Sequence, residues 1–127
     1  MNEEPNLNQL KERVQKWASC NDLISAVFLF GSRARNEQKP NDWDICVLVN
    51  SREGESWYPT WYFNRDNWKR EYCLTTGLPE SDKTQFCSVT SHEILSGLFT
   101  SNIVLYQDNK DMSCMIYNHT SWLLGDK

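Results

Sequence analysis

Between residues 28 and 49 the chain reads FLFGSRARNEQKPNDWDICVLV, and this stretch constrains the fold more than any other. Apolar, β-branched and aromatic residues fill its two ends, and each run has the length of a strand rather than a helix. Residues 23–30 read as a buried strand that Gly31-Ser32 ends abruptly, and residues 42–50 read as a second strand. Alternation along the second strand puts Ile45, Val47 and Val49 on one face, and Asp42, Asp44, Cys46 and Leu48 on the other. Ser32 is placed to cap a short helix through Arg33-Ala34-Arg35, and residues 36–41, with Pro40, read as a loop.

Helical and strand-like segments alternate along the rest of the chain. Leu7, Leu10, Val14 and Trp17 recur three or four residues apart, which predicts a helix over residues 6–20 with Glu12 and Lys16 as a favourable pair. A polar turn over residues 51–56 leads to a helix over 57–76, with Trp61, Trp68, Tyr72 and Leu74 expected inside. Gly77 suits its C-cap and Pro79 follows. Residues 83–89 read as a third strand, and 91–98 as a short helix capped by Ser91 and ending near Gly97. Residues 102–106 read as a fourth strand, and 111–124 as a last helix with Met115, Trp122 and Leu123 inward. The order predicts an α+β fold, a two-layer α/β sandwich with a small mixed sheet of about four strands flanked by helices. A length of 127 residues predicts one domain, spanning 1–127.

Composition removes several classes of function. Six Trp, five Tyr and five Phe supply enough burial for a folded core. A net charge of −4 lacks the basic footprint of a dedicated nucleic-acid binder, although Arg33, Arg35 and Lys39 leave room for a local basic patch. Cys20, Cys46, Cys73, Cys87 and Cys114 are scattered, with no CxxC pair and no zinc spacing, and read as small buried apolar residues. The polar, acidic start has no signal-peptide pattern, and the longest apolar run, residues 26–30, is too short to cross a bilayer. Reduced thiols and a cytoplasmic location are the expectation, with no membrane partner.

The chemistry concentrates at the joint between the two strands. Gly31 lacks a Cβ, so a ligand can approach the backbone, and the Ser32 hydroxyl can add a hydrogen bond to a phosphate oxygen. Nine residues separate Ser32 from Asp42. Asp42 and Asp44, two apart on a strand, turn their carboxylates to the same face, an arrangement that is costly unless a cation sits between them. Mg²⁺ suits carboxylate oxygens and keeps positions for phosphates, so the pair would hold one metal on a triphosphate and a second that activates an attacking hydroxyl.

Phe30-Gly31-Ser32-Arg33-Ala34-Arg35, followed by Asn41-Asp42-Trp43-Asp44-Ile45, resembles the signature of the minimal nucleotidyltransferases of the DNA polymerase β superfamily. The Gly-Ser-x-Ala-Arg form is similar to that of small prokaryotic members, including antitoxins paired with HEPN-domain toxins. The resemblance implies a polymerase β-like nucleotidyltransferase fold, phosphate binding at Gly31 and Ser32 with Arg33 beside them, and Mg²⁺ (or Mn²⁺) on Asp42 and Asp44, the catalytic pair. It implies a nucleoside triphosphate as substrate and a HEPN-type toxin or other acceptor as protein partner. The family places a third carboxylate on a later strand, where this chain has Gln85, with Asp82 the nearest substitute ahead of Glu80 and Glu93. The family also has Gly where this chain has Asn36, a residue that tolerates positive φ.

Two functions follow. The first is a metal-dependent transferase that moves a nucleoside monophosphate from a triphosphate to a hydroxyl of a protein or small molecule. The second is a catalytically weakened nucleotide-binding or regulatory module, an antitoxin-like subunit acting through a partner, which Gln85 favours. Arg33 and Arg35 suit phosphate or a surface pair with Glu37 equally. Trp57, Tyr58, Trp61, Tyr62 and Trp68 could stack on a base, but their spacing favours a core and dimer-forming cluster, and hence a homodimer. His92 and His119 have no metal-like neighbours in sequence, and Lys69 and Arg70 read as a solvated helix face.

Overall fold

The computed structural model describes residues 4–35, 42–50, 56–108 and 112–125. The expectations for Asn36, Glu37, Lys39, Pro40, Asn41 and the turn over 51–55 lie outside the described residues, as do those for the side chains of Cys114 and Met115.

Among the described residues, four helices and four strands follow the expected order: α1 Leu7–Ala18, β1 Ile24–Phe30, β2 Trp43–Val49, α2 Trp57–Thr76, β3 Thr84–Cys87, α3 His92–Thr100, β4 Asn102–Gln107 and α4 Met112–Leu124. Local chemistry sets the ends. Asn6 and Gln9 form a reciprocal capping box at the start of α1, and Ser56 and Ser91 cap α2 and α3. Gly77 ends α2 at φ +84°, and its N–H donates to Cys73 O.

The strands form one mixed sheet in the order β3-β2-β1-β4. β1 runs antiparallel to both β2 and β4, while β3 lies parallel to β2. Side chains of alternate residues enter two cores. Val27, Leu29, Ile45, Val47 and Val49 pack with α1 and α2, whereas Ala26, Phe28, Phe30, Cys46 and Leu48 pack with α3 and α4. The first core is aromatic. Trp17 meets Tyr72 edge-on at 5.3 Å, and Trp61 stacks on Phe86 at 5.6 Å, contacts worth about 0.5–1.5 kcal/mol each beyond their buried area.

Several expectations shift in detail. Leu74 is 77% exposed, because it lies two residues past buried Tyr72 and so on another side of α2. Of the group Trp57, Tyr58, Trp61, Tyr62 and Trp68, the three tryptophans are buried and Tyr62 is exposed, as is the neighbouring Phe63. Cys20 is exposed, while Cys46 and Cys73 are buried. Among the described residues no helix is long and apolar enough to cross a membrane.

His119 is the main surprise of the fold. It is buried in α4, accepts a hydrogen bond from Val49 N–H at Nε2 (3.1 Å), and stacks on Trp57 at 4.0 Å. It ties α4 to the end of β2.

Candidate functional site

The C-terminal end of β1 and the N-terminal end of β2 meet, with Phe30 opposite Asp44. The chain leaves β1 through a single 3-10 turn, Gly31–Arg33, closed by Ala34 N–H and Arg35 N–H donating to Gly31 O. The expected Ser32 cap is absent. Phe30 holds the cap position without a side-chain hydrogen bond, and Ser32 is itself buried. One turn carries little macrodipole, so any attraction for phosphate here comes from local amides rather than from a helix axis.

Gly31 adopts φ +73°, a left-handed conformation that side chains disfavour. A Cβ placed there would overlap Asp44 Oδ2 and lie 3.1 Å from the Asp44 carboxyl carbon. The room that glycine leaves is therefore taken by the carboxylate of Asp44, not held open for a ligand. The expected convergence of β2 on the Gly-Ser turn is a direct contact.

Asp44 is half-buried, and its pKa lies above the usual carboxylate value. Burial is the largest cause, the charge of Asp42 adds to it, and Arg35 opposes it. Asp42 and Arg35 thus both stand within electrostatic reach of Asp44. Phe30 backs the site, and Gly97 lets α3 approach closely enough that a Cβ there would lie 3.1 Å from the Phe30 ring.

β3 completes the floor. Asp44 pairs with Gln85 and Cys46 with Cys87, and paired residues of parallel strands share a face. Gln85 therefore stands beside Asp44, and its Nε2 donates to Asp82 O at 2.5 Å. Glu80 lies within ion-pair distance of Arg70, at 3.8 Å. Two pairs inward, the Cys87 thiol donates to Ile45 O at 3.3 Å, and hydrogen bonding with Cys46 followed by burial pushes its pKa well up.

Arg33 goes elsewhere. Its guanidinium lies 4.0 Å over the Trp43 ring and 3.0 Å from Glu4 Oε2, on the side of the sheet that packs with α1 and α2. Glu4 was not legible as part of this region, because its partners lie 29 and 39 residues away along the chain.

The donor chemistry fits a small hard cation. Asp42 and Asp44 offer carboxylate oxygens, the ligands Mg²⁺ takes while leaving positions for phosphate and water. Among the described residues no group of three or more His, Cys, Asp or Glu is arranged to hold a metal ion, and Asp42 and Asp44 are the carboxylates beside the turn. Because Asp44 touches the turn, a cation on its carboxylate would bring a bound phosphate to the backbone of residues 31–33.

Three solved structures superpose with a TM-score of 0.56 each. The first is a toxin-antitoxin with AMP-PNP (16% identity, covering 90% of this chain and 86% of that one). The second is a toxin-antitoxin MntA-HpeT carrying a tyrosine-to-alanine mutation (17%, 90% and 85%). The third is a tri-AMPylated Shewanella oneidensis HEPN toxin in complex with MNT antitoxin (14%, 94% and 87%). At these identities the likeness is one of fold. No curated protein matches by sequence. Residues 12–111, most of the chain, match the family described as Polymerase beta, Nucleotidyltransferase, and the chain belongs to that family.

Proposed function

We propose that the chain binds a nucleoside triphosphate with Mg²⁺ or Mn²⁺ and transfers its nucleoside monophosphate to a hydroxyl on a partner protein. The observation that carries this reading is the contact between the Asp44 carboxylate and the Gly31 turn, with Asp42 alongside. Asp42 and Asp44 hold the cation, and the backbone at Gly31 and Ser32 meets the phosphate tail. Bound there, the cation neutralises phosphate charge and favours departure of pyrophosphate. The acceptor oxygen bonds to the α-phosphorus, the bond from that phosphorus to the bridging oxygen breaks, and pyrophosphate leaves. Gln85 cannot accept the hydroxyl proton, so the proton passes to water. A protein acceptor is supported by structures of similar fold, one of which contains an AMPylated HEPN toxin beside an MNT antitoxin.

The test is label transfer. The protein is incubated with ATP labelled at the α-phosphate and Mg²⁺ or Mn²⁺, with and without a HEPN-type partner. Transfer to the partner that Asp42→Ala removes supports the reading. Absence of transfer with retained ATP binding refutes the enzyme.

A second reading is a nucleotide-binding regulatory subunit of weakened activity, and one observation favours it: an amide rather than a carboxylate stands next to Asp44 in β3. Gln85→Asp separates the two readings. Transfer that rises about tenfold or more identifies the missing base as the limiting group. An unchanged rate means that Gln85 does not occupy the base position.

A further inference from the structure

Three side chains close a triangle on the side of the turn away from Asp44. Glu4 Oε2 accepts a hydrogen bond from Trp43 Nε1 at 2.5 Å and lies 3.0 Å from Arg33 Nη2. Arg33 lies 4.0 Å over the Trp43 ring. Each member touches the other two, so the segment before α1, the 3-10 turn and the first residue of β2 are fastened together. Trp43 is anchored in turn, 7% exposed within the α1/α2 core.

We infer that the Glu4–Arg33–Trp43 triangle is a clamp that positions the Gly31–Arg33 turn against Asp44, and that Arg33 is a positioning residue rather than a phosphate ligand. An isolated surface ion pair would be worth little. This one is different, because the Arg33 side chain is only 19% exposed and one carboxylate oxygen serves both of its neighbours. A guanidinium stacked on an indole and bridged by a carboxylate has its plane and much of its charge engaged. Recruiting it to a triphosphate would break both contacts. Arg35, whose charge reaches Asp44, is the arginine on the acidic side.

The inference rests on the nucleotide site proposed above and deepens it. The clamp acts through backbone placement, so its loss harms whatever the turn holds, whether or not a base and sugar are attached. The test titrates the full chain by calorimetry with ATP and with inorganic tripolyphosphate, both in Mg²⁺, and records thermal melting. Glu4→Gln is expected to weaken both ligands about tenfold, since displacing a binding element by a fraction of an ångström is costly, while the melting temperature stays within a few degrees. Trp43→Phe keeps a ring beneath Arg33 but removes the N–H, and is expected to give a smaller loss in the same direction. Arg33→Lys and Arg33→Gln are expected to weaken binding equally. A phosphate ligand would instead be rescued by lysine, which binds phosphate as a point charge. Binding by Glu4→Gln that equals or exceeds wild type overturns the inference, and so does wild-type affinity in Arg33→Lys beside a loss in Arg33→Gln. If the wild type binds neither ligand, the nucleotide site itself fails. An unaffected Glu4→Gln beside a wild type that does bind removes the clamp alone.

Discussion

The two ends of the β1–β2 pair both carry acids, but in different states. At the far end, Asn50 Nδ2 donates to Asp22 O (2.8 Å) and Asp108 Oδ2 (3.4 Å), and Asp108 N–H donates to Ser25 O (2.9 Å). Two hollows lie at this end. A cavity of about 320 Å³ is lined by Asp22, Asn50, Tyr106 and Asp108, and a groove of about 740 Å³ runs along α1 past Arg13, Lys16 and Tyr106. At the motif end, the charge of Asp42 reaches Asp44, and burial works against the charge of Asp44. The hollows of the far end adjoin polar groups that are already engaged in hydrogen bonds. The proposed cation site lies instead at the motif end, where two acids crowd one another and Arg35 offsets them only in part.

The comparison breaks most visibly under substitution of the acids themselves. Asp44→Ala is expected to lower Mg²⁺-dependent nucleotide transfer by about a hundredfold or more, because it removes charge from the cation site. Asp108→Ala should leave transfer within about twofold. Rate measurements on both variants check this, and an equal loss in the two would erase the distinction between the ends.

The far end is expected to matter for stability instead. His119→Ala leaves the Val49 N–H unpaired and removes the ring stacked on Trp57, at a cost of about 2–4 kcal/mol. Urea unfolding measures the cost. Nucleotide affinity of the folded variant should remain within about twofold of wild type.

Gly31→Ala sharpens the motif end. A residue with a Cβ at φ +73° costs about 1 kcal/mol in backbone strain, and its methyl group collides with the Asp44 carboxylate. A stability loss of about 2 kcal/mol in all is expected, together with weakened metal and nucleotide binding, because Asp44 must move to make room. Serine in place of alanine should not help, since the strain is in the backbone.

The smallest expected effect is on pH dependence. The Asp44 carboxyl titrates above its unfolded value, so the folded state binds that proton more tightly. Ionised Asp44 thus costs stability at neutral pH. The cost fades as pH falls through the raised folded value and is gone below the ordinary carboxylate range. Asp44→Asn should unfold at higher urea than wild type near pH 7, with the gap closing toward pH 4. Solvent screening of a half-exposed group keeps the gap modest. A gap that stays constant with pH would exclude Asp44 as its source.

Most of the fold was legible in the sequence because its signals are local. The alternation in WDICVLV, the Ser91 cap and the Gly77-x-Pro79 stop each depend on neighbours a few residues apart. The motif end was legible for the same reason. Gly31 directly follows β1 and Asp44 lies near the start of β2, so recognising both strands nearly brings the residues together. What escaped depends on distant partners. His119 pairs with a backbone group 70 positions earlier, and only its four-residue spacing to buried Leu123 hinted at an inward side chain. Glu4 reads as one more acid in a polar leader until β2 brings Trp43 beside it. The role of Gly31 was also only half visible. Its freedom from a side chain was clear, but which atoms fill the space is a matter of tertiary packing.

A paramagnetic ion locates the site directly. Titrating Mn²⁺ with ATP into ¹⁵N-labelled protein broadens amide signals near the metal. The account predicts early loss of signals from Gly31, Ser32, Trp43, Asp44 and Gln85, while those of Asn50, Tyr106 and Asp108 persist. Early broadening at Asn50 and Asp108 with Gly31 and Asp44 unaffected, or no site-specific broadening at all, would contradict it.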